Sequence, residues 1–287
     1  MSQANKTVLT GMREVTVGET VFTGTGEAIA VVQALEKALG TGGQIQDQLD
    51  DALGKVSGGT ELLYRDTLDS PNDHEKSTIA DYLALWAEQI ASQVGARTVD
   101  QADAYLAAAS ALECLLTTLP KRAEALALSD DQVARLAHAV LGVGADDLDE
   151  MFVRYLVVAN QPPTHELAQV ACSAICPALF EHLCANGYDF STFDAGDVAR
   201  ETPAMVVVRN AKQYEEHQLK ASRILISLAQ NGCKVTDRSR YGLDAVSIAD
   251  SRGLSDVITV VRGQTIEARL ESITDADSMN DPDFSVI

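Results

Sequence analysis

Apolar and polar positions change rhythm three times along the chain. In the first stretch, Val15, Val17 and Val21 stand at alternate positions, the spacing of a half-buried strand. Glycines at 11, 18, 24 and 26 interrupt that alternation, which leaves a short hairpin or a flexible leader as the two readings. A helix is predicted over Glu27 to Leu39, stopped by Gly40, Gly42 and Gly43. Leu49, Leu53 and Val56 then mark a short amphipathic segment ended by Gly58 and Gly59. Residues 1–60 are therefore expected to be a flexible, glycine-rich leader with short helices. From about residue 75 the period lengthens to three and four. Ile79, Leu83, Trp86 and Ile90 share one helix face, with Trp86 read as a core anchor. Ala102, Leu106, Ala109 and Leu116 form the next stripe, which Pro120 is expected to close. Ser129 and Gln132 have the spacing of a capping box before Val133, Leu136, Ala137 and Val140, a stripe in which His138 reads as core or half-buried. Residues 61–145 are thus predicted to be a helical domain.

The third rhythm is set by glycine. Gly232, Gly242, Gly253 and Gly263 follow one another at spacings of 10, 11 and 10. Between the last three lie Ala245, Val246, Ile248 and Ala249, then Leu254, Val257, Ile258 and Val261. Each apolar segment is only about two turns long, too short to hold as an isolated helix. Paired around Gly253 they form a tight antiparallel hairpin whose shared face needs neighbours on both sides.

This pattern resembles the ankyrin repeat. Gly242 stands at the turn glycine; Asp244, Ala245, Val246 and Ser247 stand at the Thr-Pro-Leu-His positions, so all four signature residues are replaced. Ala249 matches the alanine, Gly253 the glycine between helices, and Val257 to Val261 the second helix. A preceding copy has Thr202 and Pro203 at the family positions, with Ala204 and Met205 for Leu and His. Its second helix runs from Leu219 to Gln230 before Asn231 and Gly232, after an enlarged loop or extended helix. An earlier fragment, "ALFEHLCANGYDFS", repeats the Asn-Gly exit 45 residues upstream and takes "MFVRYLVVAN" as its first helix. The resemblance covers about 151–263 and is strongest over 231–263. It implies an all-α protein: an N-terminal helical bundle followed by a short, irregular ankyrin-like α-hairpin stack over 146–263. A short helix and acidic tail occupy 264–287. The structural repeat positions are Thr202, Pro203, Gly232, Gly242, Ala249 and Gly253.

Composition narrows the function classes. The chain has 42 acidic against 22 basic side chains, a formal charge of −20, and 46% hydrophobic residues. That excess argues against nonspecific nucleic-acid binding. No apolar run is long enough for a membrane span, and the first residues lack the pattern of a secretory leader. Five cysteines, an odd number, supply no disulfide framework and fit a reducing compartment, so a cytoplasmic location, or delivery into a host cytosol, is expected.

Candidate chemistry is sparse. "TGTGEAIA" lacks the Gly-Lys-Ser/Thr of a phosphate loop. Cys172, Cys176, His165 and His182 contain one Cys-x3-Cys pair, where a structural zinc wants four placed ligands, so buried thiols are the plainer reading. Asp146, Asp147, Asp149 and Glu150 read as an acidic first helical turn. No cofactor or metal is implied, and no catalytic residue is selected. Ankyrin-like scaffolds bind proteins, which makes partner recognition by an effector, adaptor or inhibitor the first expectation. A self-assembling homo-oligomer and an enzyme with sequence-distant catalytic residues are the alternatives. The candidate partner-binding residues are Tyr188, Phe190 and Phe193 on one hairpin tip, and Arg238, Arg240 and Tyr241 on the next.

Overall fold

Val17 and Thr20 face each other across a two-residue turn in which Gly18 has φ 56°, a conformation that suits glycine. That turn joins strand β1 (Arg13–Val17) to β2 (Thr20–Gly24). After an intervening helical stretch, β3 (Glu61–Asp66) and β4 (Glu75–Thr78) complete an antiparallel sheet in the order β1-β2-β3-β4. Val15, Phe22, Tyr64 and Glu75 stand in one row across it. The all-α expectation is corrected by this sheet. The glycines that read as breakers of a leader serve the fold instead: Gly18 turns a hairpin, and Gly58 admits another segment's backbone. A Cβ on Gly58 would lie 1.6 Å from the Leu126 carbonyl oxygen, and its amide donates to the Ala125 carbonyl at 3.0 Å. Residues 12–41 and 46–60 are therefore a built part of the first unit.

The computed structural model describes residues 12–41, 46–69, 74–95, 102–193, 200–235 and 237–263. The chain divides into two compact units, Met1–Pro162 and Pro163–Ile287. In the first, α1 (Gly26–Thr41) starts at Thr25, whose hydroxyl accepts from the Ala28 amide, and lies against β1 and β2. Helix α2 (Gln46–Leu53) follows. Helix α3 (Ile79–Gly95) carries Tyr82 edge-on to Phe22 at 5.0 Å and buries Trp86 in the core.

Helix α4 runs from Ala102 to Leu126 and passes through Pro120, which does not close it. An interior proline costs about 3 kcal/mol, offset here by what lies on both sides. Leu112, Leu115, Leu116, Leu119 and Leu126 are all buried, and Arg122 beyond the proline donates to Asp50 of α2 at 3.0 Å. Helix α5 (Asp130–Val143) begins with the expected capping box of Ser129 and Gln132. It is joined to α3 by a two-pronged ion pair, Arg135 to Glu88 at 2.8 and 2.7 Å. His138 is exposed on this helix, where a core or half-buried position was expected. Helix α6 (Asp146–Val158) packs on α4 and α5 through Phe152, Tyr155 and Leu156. "MFVRYLVVAN", read as the first helix of the earliest copy, lies in the first unit.

The second unit is built from helix pairs. Helices α7 (His165–Ser173) and α8 (Pro177–Ala185) form the first pair, α9 (Pro203–Asn210) and α10 (Glu215–Gln230) the second. Helix α11 (Ala245–Arg252) is followed by helical residues 255–263. Helix α9 packs on both α7 and α11, and α10 packs on α8, so first helices lie beside first helices and second beside second. Of the two readings for the stretch after Asn210, the extended helix is found: α10 starts at Glu215.

Candidate recognition surface

The three first helices start with the same device. Thr164, Thr202 and Asp244 are N-caps whose side chains accept from the amides of Leu167, Met205 and Ser247. Each satisfies one of the amides that a helix start leaves without a partner. Helices α8 and α10 also end alike. Gly187 and Gly232 have φ of 83° and 79°, and the next amides, Tyr188 and Cys233, donate back to Leu183 and Leu228 at 3.0 Å. This closure ends each helix in a left-handed turn, with one connecting segment following each Asn-Gly pair.

In the first segment the aromatic residues fold inward. Phe190 is 2% exposed and stacks on Phe180 of α8, with ring centroids 4.2 Å apart. It offers no surface to a partner, against the expectation for that residue. Tyr188 is half-buried, edge-on to Phe190, with its hydroxyl 2.9 Å from Nδ1 of His165. The Gln169 side-chain amide lies 3.1 Å from His165 Nε2, so both ring nitrogens have a polar neighbour. Burial pushes the Tyr188 hydroxyl up to about 12, so it stays neutral. Phe193 is half-buried against His165, centroids 5.6 Å apart.

The second segment projects. Ser239 is buried and anchors the turn: its amide donates to the Leu243 carbonyl at 2.7 Å, and its hydroxyl accepts from the Leu243 amide at 3.2 Å. The Gly242 amide closes on the Ser239 carbonyl at 2.9 Å, with Gly242 at φ 78°. Arg240 and Tyr241 occupy the centre of that turn; both are exposed, Tyr241 by 68%. Arg238 is exposed as well and lies 3.9 Å from the Asp244 carboxylate.

Between the two segments and the start of α9 lies a cavity of about 600 Å³. Phe190, Phe193, Pro203 and Ala204 supply its apolar wall, and Arg200 and Lys234 are exposed cations beside it. Glu201 is 6% exposed there and forms an ion pair with Arg209. Cys233 is half-buried at the same place, and burial pushes its thiol up to about 11. Burial raises the Cys172 and Cys184 thiols too, so these sulfurs are held as thiols and not as nucleophilic thiolates. Cys176 is the N-cap of α8, its sulfur 3.4 Å from the Leu179 amide, and Pro177 takes the first helical position. Among the described residues no group of three or more His, Cys, Asp and Glu side chains is placed to hold a metal ion.

Of the positions expected from sequence, Arg238, Arg240 and Tyr241 come together on an exposed turn, while Phe190 and Phe193 become the wall of a cavity. Arg200, Glu201, Cys233 and Lys234 were not singled out. The signal for them was positional: two precede the Thr-Pro cap and two follow an Asn-Gly exit, the places where one helix pair hands over to the next. No family model matches the chain, and no curated protein matches it either. Among the described residues no helix is long and apolar enough to cross a membrane.

Proposed function

We propose that the second unit is a short ankyrin-like stack that recognises a protein partner through the edge formed by its two projecting segments. The observation that carries this reading is the Ser239 to Gly242 turn. A buried serine and three hydrogen bonds fix its base while Arg240 and Tyr241, two residue types that dominate interface energetics, stand in solvent. A turn fixed in this way loses little freedom when a partner orders it, which favours affinity. The side-by-side order of α7, α9 and α11 and the shared N-cap device support the stack half of the reading.

A photoreactive phenylalanine analogue at position 241 tests it, with the same analogue at Ile226, exposed on α10, as the control position. The expected result in the native cell is a discrete adduct to another protein from position 241 that is absent from position 226 and lost when Arg240→Glu is added. Equal adducts from both positions, or none from 241, overturn the reading. An adduct of twice the chain's own mass replaces it with self-assembly.

A further inference from the structure

Two positions in the second unit join an asparagine to a glycine, Asn186-Gly187 and Asn231-Gly232, and the chain has no other such pair. This dipeptide readily loses its side-chain amide, because no Cβ hinders the glycine nitrogen. That nitrogen gives up its proton and bonds to the asparagine Cγ; the Cγ–Nδ2 bond breaks and ammonia leaves. Water then opens the succinimide to aspartate or isoaspartate. The attack needs the glycine nitrogen turned toward Cβ about the asparagine Cα–C bond. Here ψ is 14° at Asn186 and 18° at Asn231, so the glycine nitrogen nearly eclipses the asparagine's own nitrogen and is turned away from Cβ. The reacting groups are also engaged elsewhere. The Asn186 and Asn231 side-chain amides donate to the His182 and Ser227 carbonyls at 2.8 and 2.7 Å. The Gly187 and Gly232 amides donate to the Cys184 and Ala229 carbonyls at 3.1 and 3.0 Å, which holds the proton that attack would have to remove. Bulk shields neither site: both asparagines are exposed, and a Cβ on either glycine would meet no atom within 4 Å. Conformation and hydrogen bonding hold them shut.

We propose that Asn186 and Asn231 are paired deamidation sites, protected by the closed helix pairs and exposed when a pair opens, so that conversion makes the opening permanent. The proposal stands independently of the recognition reading. Neither product can restore the closure. Aspartate has no proton to give the carbonyl one turn back, and its charge stands at a helix C-terminus, where the macrodipole disfavours an anion. Isoaspartate adds a carbon to the main chain before the glycine, which takes the returning Tyr188 and Cys233 amides out of register with Leu183 and Leu228. Because α10 packs on α8, conversion at one site also favours opening at the other. Asn210 supplies an internal contrast. Its side-chain amide makes the same bond, to the Val206 carbonyl at 2.9 Å, but alanine follows it.

The test incubates the full chain at one mildly alkaline pH, in native buffer and in urea, and follows each asparagine by peptide mass. Chromatographic retention separates the isoaspartate peptide from the aspartate one. Conversion of Asn186 and Asn231 is expected to be at least about tenfold slower in native buffer than in urea, since only the open fraction reacts. Asn210 is expected to lag well behind both in urea. Leu225→Ala hollows the core of the second unit, and it is expected to speed both native rates by about tenfold or more while leaving the urea rates unchanged. Asn231→Asp, which installs one product, is expected to speed native conversion of Asn186 and to move alkylation of the buried Cys172 to lower urea. Equal rates in native buffer and urea overturn the proposal, as do native rates that Leu225→Ala leaves unchanged. Conversion of Asn210 at the pace of the other two overturns it as well, and so does an Asn231→Asp chain in which neither Asn186 conversion nor Cys172 alkylation moves.

Discussion

The carboxylate of Asp244 accepts from the Ser247 amide at 2.8 Å and from the Ser247 hydroxyl at 2.7 Å, and Arg238 lies near it. Burial alone would raise its pKa; the two hydrogen bonds and the cation outweigh burial and hold it below the ordinary carboxylate value. A carboxylate depressed in the folded state contributes stability that is complete above its unfolded pKa, near 4, and is lost as pH falls through that value toward the folded one. Asp244→Asn keeps a good N-cap and removes the titration. The expected outcome is a second unit whose melting temperature falls less steeply below about pH 4 than the wild type's, with little change at pH 7. Melting curves across that range check it. An unchanged acid slope would show that the cap bonds, and not the charge, carry the effect.

At the scale of the element, the joints between helices decide which pairs form. Gly253 closes α11 at φ 67°, and the Leu254 amide then returns to the Ala249 carbonyl at 3.1 Å. Ile175 takes the matching place between α7 and α8 at φ 57°, a strained position for a β-branched residue, held because its side chain is 98% buried by the core around it (2% exposed). Gly253 has no such compensation, for it is exposed. Gly253→Ala is expected to destabilise the second unit by about 1 kcal/mol, and Gly253→Asn by less. Urea denaturation of the full chain measures both. Equal stabilities for Gly, Ala and Asn would remove the left-handed joint from the account of this hairpin. The hairpin was legible in the sequence because glycine at a helix end has few other uses. The first pair was not, because an isoleucine occupies the glycine's place and Pro177 looks like a break inside one helix instead of the first residue of the next.

At the scale of the whole molecule, each unit has its own core. Phe22 and Tyr82 meet in the first, where Trp86 is also buried; Phe180, Met205, Leu225 and Val257 are buried in the second. Trp86 is the chain's single tryptophan, so its fluorescence reports the first unit, while alkylation of the fully buried Cys172 reports the second. Phe22→Ala removes a buried aromatic and is expected to cost about 3–5 kcal/mol in the first unit. The tryptophan transition is expected to shift to lower urea while the urea dependence of Cys172 alkylation stays in place. A common shift of both would mean that the two cores unfold as one cooperative body.

The sequence by itself determined the helices whose apolar stripes repeat over several turns, the capping box at Ser129, the burial of Trp86 and the last helix pair around Gly253. It did so because these depend on residues within a few positions of one another. It also determined that the molecule is strongly acidic. The sheet was decided by tertiary structure alone. Its two halves are separated by α1 and α2, its strands are four to six residues long, and its glycines carry opposite meanings depending on whether another segment approaches. The same holds for the cavity. Arg200 and Lys234 are unremarkable charges in the chain, and they share a rim only because two successive helix pairs end in the same left-handed turn and bring distant segments to one edge.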